Sequence, residues 1–225
     1  MQEELLGGDL VTFGKNVVKE LNPVTQYHNI KNVIQNVNQA KSGVDNTTKD
    51  YANLIKETYK DETSRNDYGD YKLNKKHSGD HYSTYQKDGH NYFVFRGTKD
   101  ARDIPADLQI ATGTQDFTTD EKLFKKVKEN LGTKGDWTLI GHSLGGTKAM
   151  LIGQKNGVKT EAFNPGYSRL FDDKLELKRK DLKLHLVSSD PISNGLLVKK
   201  LSNANIYKSK TYDPFKSHGI DYFTK

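Results

Sequence analysis

Trp137-Thr138-Leu139-Ile140-Gly141-His142-Ser143-Leu144-Gly145-Gly146 is the stretch around which the rest of the chain can be ordered. Its first four residues are apolar or β-branched and predict a buried strand. The glycines predict a turn, and residues 144–153 a helix. A serine two residues from a glycine on either side, between strand and helix, has the Gly-x-Ser-x-Gly spacing of a nucleophile elbow. Crowding explains the glycines: a sharp strand-to-helix turn strains the serine backbone, and side chains two positions away would clash. The following helix offers its positive end and unpaired N–H groups to a developing oxyanion. In a chain with 19 glycines the bare spacing is weak evidence. Its position between an apolar strand and a helix gives it weight.

Outward from the elbow, the pattern alternates. Residues 119–131 read as a helix with Leu123, Phe124 and Val127 inward and Gly132 placed to end it. Residues 158–163 and 182–187 read as strands that end in turn residues. Further upstream, residues 81–85 and 91–95 flank Asp88-Gly89 and predict a hairpin. Residues 51–59 read as a helix through Tyr51, Leu54, Ile55 and Tyr59, and residues 61–79 as a polar loop. Strands alternating with helices predict an α/β fold, with a mostly parallel central sheet flanked by helices and reactive groups on loops at strand ends.

The 225 residues suffice for one well-buried domain plus an extension. The boundary is expected near residue 50: a helical N-terminal extension over 1–49, then the α/β domain over 50–225. Within the extension, Ile30, Val33, Ile34 and Val37 follow helical spacing, and packing against the main domain is the expected fate of that stripe. Mean hydropathy is low at -0.83, with net charge +6 and pI near 9.1. The lysines are dispersed, however, and the densest run, 174–183, is broken by Glu176, Asp181 and leucines. That describes a solvated surface with at most weak attraction to an anionic membrane, and no nucleic-acid motif accompanies it. The absence of cysteine excludes disulfides, thiolate-bound zinc and thiol catalysis. Met1-Gln2-Glu3-Glu4 is acidic where a signal peptide is basic, and no apolar run reaches membrane-spanning length. These residues assign no compartment.

A serine nucleophile needs a base, and the base an orienting carboxylate; in α/β-hydrolases they follow in the order serine, acid, histidine. Of seven histidines, His28, His77, His81 and His90 precede Ser143. His142 adjoins it with its ring expected to point elsewhere, and His185 lies inside a strand, where a buried, satisfied imidazole is expected. His218, on a loop near the C-terminus, is left as the base. Asp190 follows a strand and precedes Pro191, which makes it the best acid. Asp213 and Asp221 are weaker rivals nearer His218, and Asp172, Asp173 and Asp181 read as surface. There is no His-Glu-x-x-His, calcium-loop spacing or phosphate-binding glycine loop, so no metal or cofactor is expected.

These residues resemble the class 3 lipase family, the fungal-type lipases with their esterase and phospholipase relatives. Val94-Phe95-Arg96-Gly97-Thr98 resembles the family's strand and oxyanion turn, and residues 139–146 its elbow. Phe163-Asn164-Pro165-Gly166 resembles the next loop, Ser189-Asp190-Pro191-Ile192 the acid loop, and His218-Gly219-Ile220-Asp221-Tyr222 the terminal histidine segment. The resemblance implies an α/β-hydrolase fold and hydrolysis of a lipid or small ester by Ser143, His218 and Asp190. It also implies an oxyanion hole from Thr98 and the Leu144 N–H. Arg96 is expected to pair structurally with Asp103 or Asp107. A non-catalytic relative used for binding, docked through the N-terminal helix, is the alternative.

Two departures from the family pattern carry expectations. Thr147 and Lys148 stand where small apolar residues are usual, which predicts a less buried helix face there. Residues 99–115, where lipases carry an amphipathic lid, hold only Ile104, Leu108 and Ile110 as large apolar residues. So polar a segment has little to offer an oil surface, and esterase activity is expected to rise smoothly through the substrate's aggregation limit. A many-fold jump at that limit would overturn this expectation.

Overall fold

Aromatic and β-branched residues at alternate positions build a sheet buried on both faces. The computed structural model describes residues 23–99, 117–132, 135–167, 174–211 and 213–225. Its strands are β1 (Lys72–Leu73), β2 (Tyr82–Lys87), β3 (His90–Phe95), β4 (Trp137–His142), β5 (Lys159–Phe163), β6 (Leu182–Val187) and β7 (Ala204–Tyr207). They form one seven-stranded sheet in chain order. β1, β2 and β3 pair antiparallel, and β3 through β7 pair parallel. The predicted hairpin is β2–β3. Asp88 and Gly89 both take left-handed φ values, 50° and 76°, which matches the twist of a two-residue hairpin loop.

The helices are α1 (Pro23–Asn38), α2 (Asn46–Tyr59), α3 (Thr118–Asn130), α4 (Leu144–Asn156) and the short α5 (Pro214–His218). Parallel strands laid down in sequence with right-handed crossovers keep their connections on one side of the sheet. There α3 and α4 pack: Phe124, Val127 and Ile152 meet Phe93, Phe95 and Leu139. The opposite face must be covered from elsewhere in the chain, and α2 together with the segment after α5 does so. Tyr51, Leu54 and Ile55 share a core with Tyr92, Val94, Ile140, Phe163 and Phe223. The period of two thus divides neighbours: Phe93 faces α3, while Tyr92 and Val94 face α2.

Most predicted elements are present with shifted ends. α2 begins five residues before the expected Tyr51 because Asp45 caps it, accepting from the Thr48 N–H and the Thr48 hydroxyl, each at 2.9 Å. The break expected between residues 49 and 50 therefore falls inside a helix. The apolar stripe of α1 lies against the sheet's second half: Val33 joins the cluster of Met150, Leu184, Leu186 and Leu196. Asn32 and Asn36 anchor α1 by donating to the carbonyls of Val198 and Leu197 at 2.9 and 2.7 Å. Strands β1 and β7 were not expected. Both are short edge strands, one within a polar run and the other reading Ala-Asn-Ile-Tyr, so neither carries an alternating apolar signal.

The expectation of a less buried face at Thr147 and Lys148 is corrected. Thr147 is fully buried and its hydroxyl donates to the Gly166 carbonyl. Lys148, its side chain 12% exposed, pairs with Asp120 at 3.1 Å. A hydroxyl and an ammonium are accommodated because each finds a fixed partner. Among the described residues, no helix is long and apolar enough to cross a membrane.

Candidate active site

Where β4 ends, the chain must reverse into α4 within one residue. Ser143 makes that turn at φ 57° and ψ −127°, a conformation that costs a non-glycine residue about 1–3 kcal/mol and persists only when its surroundings impose it. They do so here. A Cβ on Gly141 would lie 2.1 Å from the Gly145 oxygen, and one on Gly145 would lie 2.6 Å from the Arg96 oxygen. The Ser143 N–H is held by the Phe163 carbonyl at 3.1 Å, and the Ser143 carbonyl accepts from Gly166 N–H at 3.0 Å. Leu144 is the first residue of α4, where N–H groups have no acceptor within the helix.

The three widely separated residues meet above the carboxyl ends of the parallel strands. His218 Nε2 lies 2.9 Å from Ser143 Oγ, and His218 Nδ1 lies 2.9 Å from Asp190 Oδ1. Asp190, fully buried, accepts in addition from the N–H groups of Ile192 and Ser193 and from the Ser193 hydroxyl. That set of donors fixes the orientation of the side chain. With Asp190 accepting from Nδ1–H, the imidazole is left with a bare Nε2 facing the serine hydroxyl. The rival carboxylates are engaged elsewhere: Asp213 caps α5, accepting from the N–H groups of Phe215 and Lys216, and Asp221 pairs with Lys56 at 2.6 Å. Asp181 pairs with Arg179, while Asp172 and Asp173 lie outside the described residues.

The Arg96-Gly97-Thr98 turn runs alongside the elbow. A Cβ on Gly97 would stand 2.9 Å from both Ser143 Cβ and the His142 carbonyl oxygen, so glycine permits this approach. Thr98 follows directly and is exposed. Arg96 is ion-paired, and among the described residues its partner is Asp80 at 2.8 Å; the guanidinium also donates to the Asp80 and Gly97 carbonyls. Asp103 and Asp107 lie outside the described residues, as does the lid-like segment beyond Lys99.

The other histidines have structural partners. His185 is buried on β6, with Nε2 2.8 Å from Glu161 Oε2 and its ring stacked on Phe163. Burial lowers its pKa. Burial would raise that of Glu161, but the hydrogen bond to His185, with the Lys159 ammonium beside it, outweighs this and holds the carboxyl low. His142, wholly buried, is driven down to about 3, first by burial and then by the neighbouring His218. His142 and His185 are thus neutral in the folded protein over a range where the unfolded chain charges them. Below about pH 6.5 the unfolded state binds protons that the native state refuses, and each such group removes up to about 1.4 kcal/mol per pH unit. Glu161 acts in the same direction later, as pH falls through its lowered value. The urea midpoint is expected to be flat from pH 8 to 7 and to fall steeply from pH 6.5 to 4. A midpoint constant across that lower interval would contradict a buried neutral His142.

Sequence reasoning missed the groups that support the triad-like series. Asn164, at φ 38° after β5, donates to the carbonyls of Ser217 and His218 at 2.9 and 3.0 Å and accepts from Val187 N–H at 2.9 Å. Its place in a Phe-Asn-Pro-Gly turn was visible, but its function as a bracket between three loops was not. Among the described residues no group of three or more His, Asp or Glu side chains could hold a metal ion.

The sheet and its flanking helices define an α/β-hydrolase-like fold that carries serine, histidine and carboxylate in hydrogen-bonded series. No family model matches the chain, and no curated protein matches it. Among solved structures, a YdeN-like hydrolase from Pectobacterium atrosepticum is 14% identical, with a TM-score of 0.36, over 58% of this chain and 86% of that one. So slight a likeness carries no argument, and the fold rests on this chain's own geometry.

Proposed function

We propose that this protein is a serine carboxylic-ester hydrolase of class 3 lipase type, acting on lipid or small esters through an acyl-enzyme. The observation that carries the reading is the series Asp190–His218–Ser143, with both contacts at 2.9 Å and the serine strained upward at the start of α4. Ser143 Oγ attacks the ester carbonyl while His218 Nε2 takes its proton, and Asp190 steadies the imidazolium. The carbonyl oxygen, now anionic, is met by the Leu144 N–H and by Thr98, through its N–H and hydroxyl. His218 then protonates the departing alkoxide, which leaves as the alcohol. Water, deprotonated by the same nitrogen, attacks the acyl carbon and releases the acid, and the proton returns to Ser143. An alcohol in place of water would give acyl transfer by the same steps. The family resemblance supports the reading in a specific way: the motif segments quoted above, distant in sequence, border one site.

The test is labelling with a fluorophosphonate probe, which reacts with an activated serine. One labelled site is expected, mapping to Ser143, and Ser143→Ala should abolish it. Para-nitrophenyl esters of graded acyl length, beside phospholipid vesicles, then define the substrate. A folded protein that remains unlabelled and turns over none of these would refute the proposal.

A further inference from the structure

The period of two that sends Thr138 and Ile140 toward α2 sends His142 there too, at the strand's end, and Tyr59 is the last residue of α2. The two side chains meet: Tyr59 Oη lies 2.7 Å from His142 Nδ1. Directions follow from the outer partners. Tyr59 Oη accepts from the Gly97 N–H at 2.9 Å, so its own proton is available to donate to Nδ1. His142 then carries its proton on Nε2, which lies 2.7 Å from the His218 carbonyl oxygen, an atom that can only accept. The chain Gly97 N–H → Tyr59 O–H → His142 → His218 C=O has a consistent donor and acceptor at every link.

Both its ends are main chain, and each belongs to a segment the proposed reaction depends on. Gly97 precedes Thr98 in the oxyanion turn, and His218 is the base. His142 also lies directly before the nucleophile. We propose that Tyr59 and His142 are positioning residues that lock the oxyanion turn, the elbow and the His218 main chain at one spacing. This deepens the ester-hydrolase reading and rests on it for its catalytic consequence. Space filling alone does not account for the arrangement: an apolar pair would occupy the volume without any requirement that each polar atom be matched. Asn164 donates to the same His218 carbonyl, so two donors from different strand ends converge on the residue that must be held still.

Tyr59→Phe keeps the ring and deletes the relay's centre. A misplacement of about 1 Å at a reacting group can cost on the order of a hundredfold. Tyr59→Phe is accordingly expected to lower kcat about ten- to a hundredfold, with KM within about twofold and cooperative unfolding retained. His142→Gln retains a donor near the Nε2 position and should lose less rate than His142→Asn, whose amide falls short of the His218 carbonyl. A readout independent of turnover accompanies these: nitrogen-15 spectra of the histidine rings should show His142 as the neutral Nε2–H tautomer. In Tyr59→Phe, both the His142 Nδ1 resonance and the downfield His218 Nδ1–H proton should shift. If the wild type hydrolysed no ester yet the resonances shifted this way, the ester-hydrolase reading would fall and the relay would stand. If Tyr59→Phe left kcat and both resonances at wild-type values, the relay would be wrong even in an active hydrolase. Equal losses in His142→Gln and His142→Asn would also count against it.

Discussion

Asp190→Asn is expected to lower kcat by about four orders of magnitude while leaving the fold intact. The carboxylate of Asp190 meets donors only: His218 Nδ1–H at one oxygen, with Ile192 N–H beside it, and the Ser193 N–H and hydroxyl at the other. An amide must turn its NH2 toward one side or the other. Turned toward Ser193, it faces an N–H and a hydroxyl that were donating, and the buried loop loses an acceptor. Turned toward His218, it donates to Nδ1 and shifts the ring proton to Nε2, where it opposes the serine hydroxyl. That tautomer cannot take the serine proton. The measurement is kcat on a soluble ester with thermal unfolding as the control, and a loss below tenfold would remove Asp190 from the proposed mechanism.

Gly141→Ala should show the second large effect, this time in stability. The added methyl would lie 2.1 Å from the Gly145 oxygen and 2.4 Å from its carbonyl carbon. Both are backbone atoms, so no rotamer change relieves the contact. β4 cannot retreat, since Gly141 is paired between Phe95 on β3 and Ala162 on β5. A loss of at least about 3 kcal/mol is expected, a large share of the 5–15 kcal/mol typical of a domain, with Tm falling by about 6–12 °C. Gly157→Asn is the control. Gly157 is left-handed, at φ 60°, and nothing lies within 4 Å of its Cβ position. Asparagine tolerates that backbone, so Tm should barely change. A Gly141→Ala protein with wild-type Tm would show that the elbow is less confined than its contacts indicate.

The parts of this molecule that sequence reveals are those where one residue type is forced by local chemistry. The elbow is legible because its two glycines are required within five residues of each other. The β2–β3 hairpin is legible because Asp-Gly suits two left-handed positions. His218 and Asp190 could be chosen because the competing histidines and carboxylates had plainer local fates. Partnership over distance was not legible. Arg96 was expected to find its acid downstream at Asp103 or Asp107, whereas the β2–β3 register brings Asp80, sixteen residues upstream, to it. Tyr59 read as one more apolar position on a helical stripe, since nothing local marks a tyrosine whose hydroxyl will meet a histidine far along the chain. Glu161 lies in a short strand where a charge suggests exposure, and only the fold shows His185 beside it.

The covering of one sheet face by α2 and the segment after α5 has a kinetic meaning. Ile55, near the end of α2, and Phe223, beyond α5, are fully buried in the same apolar layer, so neither piece can lift away without unsealing the other. They are expected to open, if at all, as one unit while the α3 and α4 side stays closed, which hydrogen exchange of their amides would show as a common rate. That unit carries Tyr59 and follows directly on His218, the last residue of α5. Each excursion of this flap would therefore disarm the serine without unfolding the molecule, and the competent fraction of the population would follow the flap's opening equilibrium rather than global stability.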